Sequence, residues 1–599
     1  MKSDSKGVVY DAHLVRRLWQ YVAPHQRWLW ISLALLLFGA AVGLLQPWLL
    51  KLAIDRFIAP GNMDGYGWIL CGVAGAALFE LSARAVQSIT LEIAGQNALL
   101  DLRQAVFRHL QQLSARFYDK TPTGKLIGRV TTDIEALQEM FASGVVTILG
   151  DVINLLAILT LLFWMNWQLT LVSLCVAPVL IALTLWIRFR VRGAYSVMIS
   201  KRSHLNAFLH EQAAGMSLVQ AFRHERRTRG DFDAINEDLC QAQLLTVRWE
   251  SVLSAATDML GSVTMALILW YGGGLALQSL GIENAADRFG DGVTLGTLVA
   301  FLQYMDRFFG PLNDLSLKYT VMQSAMTASE RIFSLLDTDE ILPEIEAPLS
   351  PEPVRGTIRF EDVSFGYDPG QPVLENLTFE VAAGERVAFV GATGAGKTTI
   401  LKLLTRLYDI QSGRILLDEV DIRDMSLSKL REFVGIVPQD VFLFAGDILG
   451  NIRLGHPEIT DEEARAAADE LHLGEVVSRL PGGYAEPVRE RGSNLSSGER
   501  QLIAFARVLA VAPRVLALDE ATSNVDTHME HLLQEAVARV MRDRTSLIIA
   551  HRLSTIRDVD RILVLHKGRL VEQGSHDELL EQRGFYWRLH QLQFAQEEA

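Results

Sequence analysis

The sequence predicts an all-α polytopic membrane domain of six transmembrane helices, followed by an α/β P-loop nucleotide-binding domain. Three observations lead there. Long apolar runs are confined to the first half of the 599-residue chain. The second half carries Gly391-Ala-Thr-Gly394-Ala-Gly396-Lys397-Thr398 directly after the apolar run Val387–Val390. A further apolar run, Val515–Leu518, closes on Asp519-Glu520. A chain of this length exceeds one hydrophobic core, so two regions of different composition are expected.

Each span needs about 20 apolar residues. Trp28–Leu50, Tyr66–Thr90, Gly144–Met165, Leu169–Ile187, Leu253–Leu277 and Val293–Asn313 qualify, the last two with glycine and polar interruptions. Only Asn166-Trp167-Gln168 separates the third from the fourth, a tight interfacial turn. Ahead of the first span, Leu14, Arg16, Arg17, Leu18 and Trp19 suit an amphipathic elbow helix on the membrane surface and not a cleaved signal. The connections Ala94–Phe141 and Arg188–Ser251 are hydrophilic with helical periodicity, so they read as helices continuing into water. The second is rich in arginine, which marks the cytoplasmic side. The loops carrying Pro60-Gly61-Asn62 and Gly281–Gly292 then fall outside.

Ionisable residues within spans signal function, because charge at the bilayer centre is costly unless paired or wet. Glu80 and Arg84 stand one helical turn apart and either neutralise each other or line a wet face. Asp258 has no local partner and is expected to face a cavity, whereas Asp306 and Arg307 are expected to be solvated near a cytoplasmic extension. Cys71, Cys175 and Cys240 lack metal-ligand spacing and read as small buried hydrophobes. The net charge of −14 argues against nucleic acid as a partner.

The proline-bearing stretch Thr338–Gly356 reads as a linker, giving a membrane domain over 1–337 and a nucleotide-binding domain over 357–599. In the latter, short apolar strands alternate with helices, as in a parallel sheet whose ligand lies beyond the strands' carboxyl ends. The P-loop glycines let backbone N–H groups close around phosphates, Lys397 reaches the β- and γ-phosphates, and Thr398 ligates Mg²⁺. The expected ATP-binding set is Gly391, Ala392, Thr393, Gly394, Ala395, Gly396, Lys397, Thr398 and Thr399.

With Leu495-Ser496-Ser497-Gly498-Glu499-Arg500-Gln501 placed between the P-loop and Asp519-Glu520, the chain resembles the ATP-binding cassette (ABC) transporters. Over essentially its whole length it is similar to a type IV exporter half-transporter, with six spans and one ABC ATPase domain. The resemblance implies that Tyr367 stacks on adenine and that Gln439 reaches Mg²⁺ and the attacking water. It implies that Asp519 holds Mg²⁺, Glu520 polarises the water, and His551 contacts the γ-phosphate. Ser523–Asp526 resembles the D-loop, with Asp526 at the nucleotide, and Glu490-Arg491-Gly492 the X-loop. Phe117-Tyr118-Asp119, Gly124, Arg129 and Asp133, together with Glu211–Phe222, resemble the two cytoplasmic loops that end in coupling helices.

The family's usual signature is Leu-Ser-Gly-Gly-Gln, and here Ser497 and Glu499 depart from it while Ser496 and Gly498 remain. Glu499 adds negative charge near a polyphosphate. The altered signature resembles the MdlB-like half of heterodimeric exporters, so a second half-transporter subunit is expected, a heterodimer ahead of a homodimer. The implied function is ATP-driven export of hydrophobic or amphipathic compounds across the cytoplasmic (inner) membrane, with the ATPase domain in the cytoplasm. ATP and Mg²⁺ are the cofactors; membrane lipid and a small amphipathic substrate are the other partners. A lipid flippase of the lipid A exporter type is the alternative, and an ATP-gated channel or regulator a more distant one.

Overall fold

A computed structural model describes residues 12–61, 64–279, 293–343, 345, 347–368, 370–456, 458–519, 527–550 and 553–593. The chain divides into two compact units, one within 1–108 and 126–337, the other within 109–125 and 338–599. Residues 109–125 and the segment 338–356 therefore cluster with the second unit.

The described residues before Thr338 are helical, and all but 109–125 of them belong to the first unit. Helices α1 (Ala12–Val22), α2 (Gln26–Ala53) and α3 (Tyr66–Gln112) are followed by the short α4 (Ala115–Lys120) and α5 (Thr123–Val130). Next come α6 (Thr132–Ser143), α7 (Val145–Met165), α8 (Trp167–Leu174), α9 (Ala177–Ala214) and α10 (Met216–Ala221). Then α11 (Glu225–Leu267), α12 (Gly273–Ser279) and α13 (Leu295–Leu336) complete the series. At 47 residues, α3 is far longer than a span requires. At 1.5 Å per residue it extends about 70 Å, more than twice the hydrocarbon thickness.

Breaks in the helices have local causes. Asn166 caps α8, its side chain accepting from Leu169 N–H at 2.8 Å. Pro178, in the first turn of α9, separates α9 from α8 within the fourth predicted span. The π-helical turn Ile54–Ile58 presents Asp55 to the start of α13, where it accepts from Gly296 N–H at 2.9 Å. At the other end of α13, Asp337 accepts both guanidinium N–H groups of Arg17 at 2.6 and 2.7 Å, tying down the elbow helix α1.

Helix α13 packs on α2, α6 and α7, and α9 on α11. Ile158, Leu162, Ile268, Phe301 and Tyr304 form the buried centre. Outward faces are apolar instead: Trp30, Phe38, Leu78, Leu81 and Trp164 are exposed, as lipid-facing positions are. Among the described residues, five long helices are apolar enough to cross a membrane. The sixth predicted stretch is helical within α13, where Gln303, Asp306 and Arg307 dilute its apolar run. The cysteines differ from expectation, for Cys71, Cys175 and Cys240 are all exposed. Cys71 and Cys175 fall in predicted spans, where lipid screens a side chain without packing inside the protein, whereas Cys240 lies on the hydrophilic part of α11.

Among the described residues, the second unit is built on three sheets. Its strands are β1 (Ile358–Phe365), β2 (Leu374–Val381), β3 (Arg386–Val390), β4 (Ser412–Leu417), β5 (Val420–Asp421) and β6 (Val434–Val437). They continue with β7 (Gly446–Asp447), β8 (Pro487–Val488), β9 (Val515–Asp519), β10 (Thr545–Ile549), β11 (Arg561–His566) and β12 (Arg569–Gly574). The central sheet runs β12-β11-β3-β10-β9-β6. Its strands pair in parallel except for β11 with β12. An antiparallel sheet of order β2-β1-β4-β5 packs a second core around Phe360, Phe379 and Phe389. Helix α4 belongs to this unit. Phe117 is buried, Ser114 N–H donates to Glu340 O at 2.8 Å, and Tyr408 donates its hydroxyl to Asp119. Burial, then the Asp119 carboxylate, push the Tyr408 phenol well above its usual range.

Candidate functional site

Strand β3 delivers the chain to the P-loop through Gly391, where a Cβ would lie 2.4 Å from Leu565 O on β11. Any larger residue would force these two strand ends apart. Gly394 and Gly396 hold φ of +82° and +100°, which turn the loop back onto the helix Lys397–Leu404. The resulting first turn directs free backbone N–H groups toward the loop, the arrangement that binds phosphate. Lys397 Nζ donates to Gly391 O at 2.6 Å and Ala392 O at 3.2 Å, lying along the loop it serves. Burial lowers its pKa, and the Asp519 carboxylate acts in the opposite direction.

Parallel pairing of β6, β9 and β10 brings their carboxyl ends to the same edge as that of β3. Asp519, the last residue of β9, is buried and accepts from Thr398 Oγ at 3.0 Å. Gln439 follows β6 by two residues and is exposed. Hydroxyl, carboxylate and amide oxygens form a donor set that suits a hard divalent cation such as Mg²⁺. Tyr367 lies across the P-loop helix, its hydroxyl 3.2 Å from Thr399 Oγ and its ring edge-on to Tyr408. The P-loop residues, Tyr367, Thr398 and Asp519 are thus gathered in one region of this unit. Glu520, Ser523–Asp526 and His551 lie outside the described residues.

Ser496 and Gly498 occupy the start of the helix Ser497–Val511. Ser496 is the N-cap: its hydroxyl accepts from Glu499 N–H at 3.2 Å, while Glu499 Oε2 accepts from Ser496 N–H at 2.7 Å. This reciprocal pair is a capping box, so Glu499 has a structural role at the helix terminus.

Within the helical unit, a cleft of about 710 Å³ is lined by four helices and gathers charge from three of them, α3, α7 and α13. Glu80 on α3 accepts from Arg84 Nη2 and from Gln46 Nε2 on α2, each at 3.0 Å. Arg307 on α13 donates to Gly43 O at 2.7 Å and Gln46 Oε1 at 2.6 Å, with Glu80 3.9 Å away. Asp151 on α7 pairs with Lys318 on α13 at 2.5 Å. Arg307 is therefore bound into the bundle and not simply solvated, because it reaches the carbonyl that Gly43 leaves uncovered. Asp306 and Asp258 are exposed and do not line this cleft. Sequence reasoning missed Asp151 and Lys318, although a lone carboxylate inside an apolar run was the available signal for the first.

A chain that joins a helical membrane unit to a P-loop unit of this topology defines an ATP-driven membrane transporter. Two family models match, the ABC transporter transmembrane region over 29–312 and the ABC transporter domain over 374–523. A probable multidrug resistance ABC transporter ATP-binding/permease protein of Bacillus subtilis, YheH, is 36% identical over 552 residues, covering 92% of this chain and 80% of that one. The ATP-dependent lipid A-core flippase of Syntrophus aciditrophicus is 34% identical over 585 residues, with coverages of 98% and 95%. A bacterial Atm1-family ABC exporter solved with ATP bound aligns at a TM-score of 0.77 and 31% identity, covering 95% of this chain and 98% of that one. The chain belongs to the ABC transporter family. It is a multi-pass membrane exporter whose cytoplasmic domain binds and hydrolyses ATP.

Proposed function

We propose that the chain is one half of a dimeric exporter that moves hydrophobic or amphipathic compounds out across the cytoplasmic membrane. In this reading, P-loop amides and Lys397 neutralise the triphosphate, and Tyr367 stacks on adenine. Thr398, Gln439 and Asp519 hold Mg²⁺, which supplies charge neutralisation on the β- and γ-phosphates. Glu520 and His551 orient the attacking water, and Asp526 approaches the nucleotide. Ser496 and Gly498 complete the site of the partner subunit, so that closing on two ATP molecules drives the membrane units outward.

The observation that carries the reading is the 3.0 Å contact of Thr398 with Asp519 beside the P-loop, on the same chain as a bundle with a charged intramembrane cleft. Phosphoryl transfer needs positioning and charge neutralisation more than covalent chemistry. Glu520→Gln should therefore leave ATP affinity near normal and cut turnover by at least about a hundred-fold, the scale of a lost general base. Near-normal turnover in reconstituted vesicles would remove Glu520 from this role. The second reading, a lipid flippase, is favoured by the basic residues in the cleft, and lipid-stimulated ATPase activity would support it.

A further inference from the structure

We propose that Tyr408 is a positioning residue for the nucleotide: it holds the Tyr367 ring ready to stack on the base, and Asp119 on α4 holds Tyr408. The proposal rests on the reading of Tyr367 as the adenine platform and deepens it. Tyr367 is half-buried, and one side of it opens on a cavity of about 300 Å³. Close packing therefore does not fix the ring on that side. The backbone beside it is fixed, for Gln411 Nε2 donates to Gly366 O at 2.9 Å and a Cβ on Gly366 would lie 2.4 Å from Gln371 O. Orienting the side chain falls to its ring contacts.

Phe365 and Tyr408 meet the Tyr367 ring edge-on, with ring centres 5.1 and 5.2 Å away and interplanar angles of 83° and 89°. They also meet each other at 5.7 Å, so the three rings close a triangle. Lys402 Nζ lies 5.5 Å from the centre of the Tyr367 ring and 5.8 Å from that of Tyr408, bridging the two. Edge-on pairs and an ammonium over a ring are both favourable arrangements. Phe365 is anchored by strand β1, where it pairs with Leu374. Tyr408 lies past the end of the P-loop helix, outside regular structure, and is buried. Its hydroxyl donates to Asp119, 289 positions earlier in the chain. A phenylalanine would offer the same ring, so the hydroxyl has a use only with α4 seated beside it. A platform ordered before the base arrives spares the cost of ordering it on binding, about two- to ten-fold in affinity.

The test uses the full chain in nanodiscs, with ADP and pyrophosphate each competing against a fluorescent ADP analogue in the presence of Mg²⁺. The ratio of their affinities isolates what the nucleoside adds. In the parent, ADP is expected to bind at least about ten-fold more tightly, the scale of one stacked base. Tyr367→Ala should cut that ratio to about two-fold or less. Tyr408→Phe keeps the ring and loses the link, and Asp119→Ala loses the acceptor. Each should lower the ratio about three-fold, and the double variant no further than either alone, because both changes break one link. Asp119→Asn, which keeps an acceptor, should retain most of the parental ratio. Pyrophosphate affinity should be unchanged throughout, which reports an intact P-loop. A ratio indifferent to Tyr408→Phe and Asp119→Ala, or a parallel loss of ADP and pyrophosphate affinity, would overturn the proposal. Failure of Tyr367→Ala to lower the ratio would sink the stacking reading itself, whereas a loss confined to that variant sinks this proposal alone.

Discussion

Gly396 caps the P-loop helix at φ +100°, and a Cβ there would sit 2.6 Å from Leu374 Cδ2. Gly396→Ala therefore combines backbone strain of about 1–3 kcal/mol with a clash against the second core. The loop must open to relieve it, and a weakening of ATP binding by at least about ten-fold is expected from that much strain. Binding of a fluorescent ATP analogue measures it, and unchanged affinity would show that the loop tolerates a side chain. A second residue-scale device steadies the strand that feeds the loop. Asp560 accepts from Arg386 N–H and from its guanidinium, both at 2.9 Å, and the guanidinium hydrogen bond holds the carboxyl below its usual range. A depressed carboxylate contributes stability that is present above the unfolded pKa of about 3.9 and is lost as pH falls through the folded value. Asp560→Asn should thus lower the unfolding temperature of the full chain at neutral pH. The gap from the parent should begin to narrow below about pH 4 and close only once pH passes the lower folded value, where both carry a neutral side chain. A gap that persists in acid would mean that geometry, not charge, holds the strand.

At the scale of single elements, the helix Ser497–Val511 shows why the departure from the usual signature is tolerated. Its N-terminus needs acceptors for free N–H groups, and the Ser496–Glu499 box supplies them at both ends of the first turn. A carboxylate there is also favoured by the helix dipole. Ser496→Ala should cost about 1 kcal/mol of stability, the usual worth of such a cap. Glu499→Gln keeps the box geometry and loses only the charge, at about 0.3–1 kcal/mol. Under the proposed dimer the same change removes negative charge beside the partner's nucleotide. Turnover should then rise modestly while the unfolding temperature falls slightly, and parallel ATPase and thermal measurements check both. If turnover falls with stability, the carboxylate matters to the fold and not to the nucleotide.

For the whole molecule, what was legible depended on how far apart the cooperating residues lie. The P-loop is one continuous run, so its spacing alone specified the turn, the helix start and the lysine. Residues outside it required topology: Thr398 meets Asp519 only because β3, β10 and β9 pair in parallel. Asp151 and Lys318, 167 positions apart, meet only because α13 packs on α7. Likewise, the environment of Arg307 depended on Gly43 and Gln46 from α2. The proposed dimer extends this dependence across two chains, and it can be tested by complementation. A Lys397→Ala chain lacks a working P-loop but keeps its signature helix, whereas a Gly498→Asp chain has the reverse defect. If each site joins one chain's P-loop to the other's signature, either variant alone should be nearly inactive. Mixed dimers would pair the intact P-loop with the intact signature in one of their two sites. Random exchange between equal amounts should then restore about a quarter of parental ATPase activity, if a symmetric dimer has independent sites. Activity that never recovers on mixing, in chains shown to exchange subunits, would mean that a defect in one site silences both or that the sites are not shared. Full activity from either variant alone would show that the altered residue is dispensable, whereas a site held within a single chain would give inactive variants and no recovery on mixing. If the unaltered chain hydrolyses ATP only when co-purified with a different half-transporter, the same design applies with one variant placed in each subunit. Recovery then identifies which chain's P-loop works with the altered signature.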